Sequence, residues 1–152
     1  MMVDEASTIE PVRKSITVKK SPRDAFALWT EGIASWWPLV SHSVHELDAE
    51  TCVFESKMGG RIYERSKKGE VVQWGTVTAW EPPSRVAYEW HPGYGRDEGQ
   101  LVEVRFTEIA QGTRVDLVHT GWEKLGARAR KVRDGYETGW DLVFGKCYGT
   151  AA

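Results

Sequence analysis

The chain has 152 residues, of which 41% are hydrophobic and 28% are charged, a composition typical of one globular domain with its own core. A formal net charge of -2 provides no basic surface for a phosphate backbone, so we expect no nucleic-acid partner. No apolar stretch approaches the roughly 20 residues of a membrane helix. Residues 1–11 are acidic where a secretion signal would be basic and then apolar. We therefore expect no membrane insertion, a cytoplasmic location, a flexible N-terminus over residues 1–10 and a single domain over residues 11–152.

A strand and two short helices are predicted to open the domain. Residues 13–20 alternate polar and apolar side chains, which predicts a half-buried strand. Ser21 is suited to cap the following helix, because its hydroxyl group can accept a backbone N–H, and Pro22 suits the first helical position. A second helical turn over residues 33–37 must end before Pro38, since proline disfavours the α conformation of the residue before it.

Six further stretches are rich in β-branched and aromatic residues and are predicted to be strands. They cover residues 51–57, 61–65, 71–81, 86–91, 101–109 and 113–120. Short turns link most of them, so we predict a curved antiparallel sheet of six or seven strands, because a parallel crossover needs a longer link. Gly75 interrupts the longest strand and indicates a bulge or a close backbone approach. In the strand over residues 86–91, alternation places Ala87 and His91 on the outer face.

The chain is predicted to end in a long helix over residues 125–148, whose apolar stripe faces the sheet and includes Val132 and Cys147. Gly135 and Gly139 lie on or beside that stripe, although glycine is unfavourable inside a helix. Their missing side chains leave room either for a ligand or for close packing of the helix on the sheet. Both interpretations stay open.

Short motifs spread over most of the chain carry a family resemblance. They are Ser21-Pro22 with Ala25-Phe26, Trp36-Trp37-Pro38, Gly59-Gly60-Arg61 with Tyr63-Glu64, Trp74-Gly75-x-Val77, Glu81-Pro82-Pro83, Trp90, residues 113–117, His119-x-Gly121-Trp122 and Gly139-Trp140. In order and spacing they resemble the bacterial relatives of the activator of heat-shock-protein-90 ATPase, in the START and birch-pollen-allergen superfamily. The resemblance implies an α+β helix-grip fold, in which the curved sheet wraps round the long C-terminal helix. It does not fix the task, because members range from lipid carriers to polyketide cyclases.

Three functions stay open, and the one we expect is non-catalytic binding of a small hydrophobic or amphipathic molecule in a cavity between the sheet and the C-terminal helix. The expected ligand contacts are Tyr88, Trp90, Val104, Phe106, Leu117, His119, Tyr136, Gly139, Trp140 and Val143. The first alternative is a co-chaperone-like module that contacts a chaperone or other protein through the sheet or through Trp36 and Trp37. The second is an acid-base enzyme of the cyclase or hydrolase type that uses His119, which we first interpret as a hydrogen-bonded structural histidine.

Other potentially reactive residues do not form a recognisable site. His42 and His45 have HxxH spacing, but without HExxH we expect no metal. A phosphate loop and a dinucleotide fingerprint are also absent, so we expect no cofactor. Cys52 and Cys147 lack CxxC spacing and are predicted to be buried free thiols. The basic run at residues 128–133 is interpreted as a solvated helix face, with docking of an acidic partner or an anionic head group as the alternative.

Overall fold

The computed structural model describes residues 9–152, and residues 1–8 of the predicted flexible N-terminus lie outside the described residues. Seven strands are present: β1 (Val12–Val18), β2 (Ala49–Phe54), β3 (Arg61–Ser66), β4 (Val71–Glu81), β5 (Arg85–Trp90), β6 (Gln100–Ile109) and β7 (Gly112–Thr120). They form one curled antiparallel sheet in the order β1-β7-β6-β5-β4-β3-β2. The predicted antiparallel sheet and helix-grip class are therefore confirmed.

The α-helices lie towards the two ends of the chain, and two 3₁₀ turns, Glu46–Asp48 and Arg96–Glu98, precede β2 and β6. Helix α1 (Pro22–Trp29) is followed by one 3₁₀ turn (Ile33–Ser35), which replaces the longer second helical turn expected over residues 33–37. After β7, a 3₁₀ segment (Trp122–Arg128) leads into α2 (Ala129–Trp140). The chain then continues as a π-helical segment (Asp141–Tyr148) and a last turn, α3 (Gly149–Ala151). The α-helix starts later than the predicted residue 125 because Gly126 has non-helical dihedral angles, φ 58° and ψ -126°.

Helix α1 is capped and packed as its sequence suggests. The Ser21 hydroxyl group accepts the Asp24 backbone N–H at 3.2 Å, and Pro22 occupies the first helical position, where a missing N–H costs nothing. The buried face of α1 carries Trp29, which packs edge-on against Tyr148 with ring centroids 4.9 Å apart. The Tyr148 hydroxyl group donates to the Ala25 carbonyl oxygen at 2.7 Å, so the end of the chain is tied to α1.

The π-helical segment changes which residues of the terminal helix are buried. Trp140, Phe144 and Tyr148 are all buried, whereas Cys147, which the α-helical stripe included, is only partly buried. The wider turn of a π-helix accounts for the change, because it alters the angle between successive residues. Gly135 is exposed rather than on the inward stripe, since the preceding position on a helix is rotated by about 100° from Tyr136.

Two bulges in β4 place its aromatic residues. Ile62 lies opposite Gly75 and Tyr63 opposite Gln73, so Trp74 is an extra residue in the ladder; a second register shift falls between Val77 and Ala79. A Cβ atom at Gly75 would lie 2.0 Å from the Glu89 carbonyl oxygen. Both predictions for Gly75, a bulge beside it and a close backbone approach, are therefore confirmed.

Two residues that alternation places on the outer face, Ala87 and His91, are nevertheless buried, at 2% and 3% exposed. Ala87 lies opposite Glu103, whose carboxylate accepts from Arg85 Nε at 2.9 Å, so two long side chains surround a small one. His91 follows the end of β5, where its backbone N–H donates to the Trp74 carbonyl oxygen at 2.6 Å and its ring contacts the loop that follows.

Candidate ligand-binding cleft

A cleft of about 240 Å³ opens at one end of the sheet, between α2, the β4–β5 hairpin and the loop that precedes β2. Its lining residues are Trp37, His42, Ser43, Val44, Trp74, Trp90, Pro92, Tyr136, Gly139, Trp140 and Val143. Five of them are aromatic, so the cleft is chiefly an apolar and π-electron surface. Gly139 contributes an open stretch of wall, because a Cβ atom added there would meet nothing within 4 Å.

Four tryptophans form the inner wall and contact one another. Trp37 lies at the centre, with ring centroids 5.0 Å from Trp74, 5.8 Å from Trp90 and 6.3 Å from Trp140. The planes of these pairs differ by 41°, 52° and 86°. The rings are 1% to 8% exposed, and such edge-to-face and tilted contacts contribute about 0.5–1.5 kcal/mol each beyond burial. The wall is therefore held in place before any ligand arrives.

All four indole N–H groups are bonded within the protein. In chain order their acceptors are the His42 carbonyl oxygen at 2.7 Å, Glu64 Oε1 at 2.6 Å, the Tyr136 hydroxyl oxygen at 2.9 Å and His119 Nδ1 at 3.0 Å. A ligand in the cleft thus finds ring surfaces rather than free indole donors.

Glu64 is a fully buried carboxylate directly behind the cleft wall. Besides Trp74, it accepts the backbone N–H groups of Val44 at 2.7 Å and His45 at 2.8 Å, and the His45 ring at 2.8 Å. Burial alone would raise the pKa of Glu64, but these hydrogen bonds favour the charged form and hold the pKa below its ordinary value. Glu64 therefore fixes both an inner wall residue and the loop that forms the rim.

His119 lies beneath the cleft and does not line it. Its Nδ1 accepts from Trp140 Nε1, so Nε2 carries the proton and donates to Gln100 Oε1 at 3.2 Å. Trp122 stacks on the imidazole with centroids 4.1 Å apart. Burial lowers the pKa of His119 to about 3, which keeps the ring neutral. With both nitrogens bonded, His119 has the hydrogen-bonded structural role first expected, and it has no free lone pair for general-base chemistry.

Tyr136 supplies a polar hydrogen inside the cleft. Its hydroxyl oxygen accepts from Trp90 Nε1, while its own O–H has no acceptor among residues 9–152. Burial raises the pKa of Tyr136 well above its ordinary value, because the phenolate would be desolvated. Tyr136 therefore acts as a neutral donor, able to bond one acceptor atom of a bound molecule.

The structure brings together half of the expected ligand contacts. Trp90, Tyr136, Gly139, Trp140 and Val143 line the cleft. The others are buried in the packed core without lining it: Tyr88, Val104, Phe106, Leu117 and His119. The cleft lies at one end of the contact between sheet and helix, and these five residues are buried away from it.

The sequence patterns did not identify the contribution of Trp37, of Trp74 or of the loop before β2 over residues 42–45, which we call the rim loop. Trp37 is 8% and Trp36 is 7% exposed, so the expectation that this pair forms a surface anchor for a protein partner is wrong. The Trp36 indole N–H donates to the Leu28 carbonyl oxygen at 2.8 Å, which fixes that ring on α1. The Trp-Trp-Pro sequence could have indicated the cleft, because exposing two large apolar rings to solvent at a sharp turn is unfavourable.

Three other sequence features have structural explanations. Within residues 9–152 no group of three or more His, Cys, Asp and Glu side chains is placed to hold a metal ion. Cys52 is buried and Cys147 half-buried, and both are free, so the prediction of two buried thiols holds only for Cys52. In the basic run, Arg128 pairs with Glu98 and lies over the Tyr94 ring.

The curled sheet, the long terminal helix and the end cleft define a helix-grip domain, and comparison with known proteins gives its family. The profile of the family described as "Activator of Hsp90 ATPase homolog 1-like protein" matches residues 19–146. The chain belongs to this family of ligand-binding domains, as its motifs indicated. Among curated proteins, no sequence matches the chain. No helix of residues 9–152 is long and apolar enough to span a membrane.

Solved structures share the fold over nearly the whole chain. CalC from Micromonospora echinospora, described as a self-sacrificing resistance protein, is 29% identical, with a TM-score of 0.68, covering 93% of this chain and 92% of its own. Txn09, an anthrahydroquino-gamma-pyrone synthase solved in complex with a ligand designated SUM, is 29% identical, with a TM-score of 0.65 and coverages of 95% and 97%. MLL2253 from Mesorhizobium loti is 18% identical, with a TM-score of 0.64 and coverages of 91% and 94%.

Proposed function

We propose that the chain binds a small hydrophobic or amphipathic molecule with an aromatic ring system in the cleft, without transforming it. The observation that carries this proposal is the wall of four tryptophans facing the open space at Gly139. Flat rings on the wall suit a flat ligand, and the Tyr136 hydroxyl group is available to orient one polar atom of it.

The size of the cleft limits the ligand. At about 240 Å³ it is smaller than the roughly 300–1,000 Å³ of sites that enclose drug-sized molecules. We therefore infer a compact ligand of two or three rings, or one end of a longer molecule that extends past the rim. A bicyclic phenol of about a dozen heavy atoms, at roughly 0.4 kcal/mol per atom, would gain about 5 kcal/mol. That free energy corresponds to a dissociation constant of a few tenths of a millimolar.

One structural neighbour supports an aromatic ligand. Txn09 has an anthrahydroquinone, a fused-ring aromatic system, in its name, and it was solved with a bound ligand. The two chains align over nearly their full lengths at 29% identity. For the present chain a binding role is favoured over catalysis because both nitrogens of His119 are already bonded within the core.

Two glycines of α2 provide a matched test. Gly139→Leu would place a side chain in the cleft, whereas Gly135→Leu would place the same side chain on the exposed face one turn earlier. A Cβ atom meets nothing within 4 Å at either position, so neither change should strain the helix. Leucine is also the better helix former by about 0.8 kcal/mol. Lost binding could then not be attributed to a destabilised fold.

The measurement is titration with 2-naphthol, followed by the indole N–H signals in proton–nitrogen NMR spectra. Gly139→Leu should weaken binding at least about tenfold, equivalent to 1.4 kcal/mol, while Gly135→Leu should bind like the wild type. Native mass spectrometry of freshly purified protein would reveal a co-purified molecule. If 2-naphthol and related bicyclic phenols leave the cleft signals unmoved, or if both variants bind equally well, the proposal fails.

A further inference from the structure

The cleft has a distinctive distribution of charge in addition to its apolar lining. None of the lining residues is lysine, arginine, aspartate or glutamate. Directly behind two of them, Trp74 and Val44, lies the buried Glu64 carboxylate. Within residues 9–152 no lysine or arginine forms an ion pair with Glu64, and its titratable partner is the ring of His45. A buried carboxylate without a guanidinium or ammonium partner contributes a negative potential to the adjacent cleft.

The indole orientations act in the same direction. The N–H edge is the electropositive edge of a tryptophan, and each of the four points at an acceptor within the protein. No indole N–H group is therefore left free to repel a cation bound in the cleft, and the negative faces of these rings can attract one. The hydrogen bond from Trp74 to a carboxylate, 2.6 Å long, adds electron density to that ring.

We propose that the cleft selects a small molecule whose aromatic or apolar body carries an alkylated ammonium group, and that this cation lies against the tryptophan wall. The inference rests on the proposed function, since it specifies the ligand of the same cleft. Trp37 lies 5.0–6.3 Å from its three neighbours, so a cation at the wall is within reach of more than one ring. Attraction extends to about 6 Å from a ring centroid, and tryptophan gives the strongest attraction. Aromatic cages of this composition recognise quaternary ammonium groups.

An isosteric pair of probes separates charge from shape. The cation meta-hydroxyphenyltrimethylammonium and the neutral meta-tert-butylphenol differ only in the replacement of a carbon atom by a charged nitrogen atom. Simple burial favours the neutral compound, which is the more hydrophobic of the two. The cation–π wall favours the cation, and we expect it to bind about tenfold more tightly, corresponding to the middle of the known range of such interactions. Titration calorimetry at low salt measures both constants.

Variants locate the effect. Trp37→Leu removes the central ring and should abolish the preference for the cation, while the neutral phenol loses less affinity. Trp80→Leu is the matched control, because Trp80 is part of a different groove, next to Pro82 and Pro83, and should leave both constants unchanged. Thermal unfolding shows whether each variant is folded. If a variant does not fold, the comparison of the two probes on the wild type still decides the question.

The outcomes discriminate between the two proposals. Equal affinities, or tighter binding of the neutral phenol, would overturn the charge selectivity and leave a hydrophobic cleft intact. Binding of neither compound, where 2-naphthol still binds, would overturn the charge selectivity alone, and binding of none of the three would overturn both proposals. A preference for the cation that survives in Trp37→Leu would also count against the inference, because the charge would then be recognised outside the tryptophan wall.

Discussion

Replacing Glu64 by glutamine tests whether one buried carboxylate holds the cleft together. In the wild type, Oε1 accepts from Val44 and Trp74, and Oε2 accepts twice from His45. Glutamine keeps one acceptor oxygen and replaces the other by an NH₂ group that can only donate. At least one N–H donor then loses its acceptor, at about 1–3 kcal/mol, and the remaining bonds lose the strengthening effect of charge. We expect Glu64→Gln to lower the free energy of unfolding by about 2–4 kcal/mol.

Urea denaturation followed by tryptophan fluorescence measures this loss. The control is Glu103→Gln on the outer sheet face, where ion pairs with Arg85 and Arg105 are partly solvated and the expected cost is below about 1 kcal/mol. The pKa of Glu64 is lowered on folding, so its charge stabilises the protein above the ordinary value of 4.5, and that contribution is lost as the pH falls through the folded-state pKa. The gap between wild type and variant should therefore narrow in acid. Equal stabilities of Glu64→Gln and Glu103→Gln at neutral pH would refute the reasoning.

Three further predictions follow from burial. Burial lowers the pKa of His119 to about 3 from an ordinary 6.5, so between these pH values only the unfolded chain binds a proton at this ring. The free energy of unfolding of the wild type should therefore decrease as the pH falls, by up to about 1.4 kcal/mol per pH unit more than that of His119→Gln. Trp36→Ala should cost about 3–5 kcal/mol in thermal unfolding; a change below 1 kcal/mol would contradict its buried position. Burial raises the pKa of Cys52 to about 12, so a thiol reagent should label Cys147 in the native protein and Cys52 only after denaturation.

Most of the fold could be predicted from the sequence because its signals are local. Alternation marked the strands, short turns required antiparallel pairing, and Ser21-Pro22 marked the start of α1. The errors fall where local periodicity changes without a local signal. The π-helical segment from Asp141 to Tyr148 moves Phe144 and Tyr148 onto the buried face, and the conformation of Gly126 delays the start of α2. Neither departure is visible in the pattern of apolar residues.

The cleft was only half predictable because contacts distant along the chain define it. Alternation and helical spacing could identify Trp90, Tyr136 and Trp140 as inward-facing, but not where the sheet and helix separate. The bulge in β4 decided the direction of Trp74, and a bulge leaves the two faces of a strand ambiguous from sequence. The rim loop is positioned by Glu64, about 20 residues further along the chain, and a hydrogen bond over such a separation has no sequence signature.

The same contacts determine how the cleft can respond to a ligand. The inner wall is fixed by packed rings and bonded indoles, so binding need not order it, and the affinity is not reduced by that cost. The rim is different, because Val44 is 45% exposed and its loop contacts the core through the bonds of Val44 and His45 to Glu64. An exposed segment held by a few polar bonds belongs to the less stable part of a fold. Any adjustment to ligands of different length should therefore occur at the rim, while the tryptophan wall sets which chemical group is accepted.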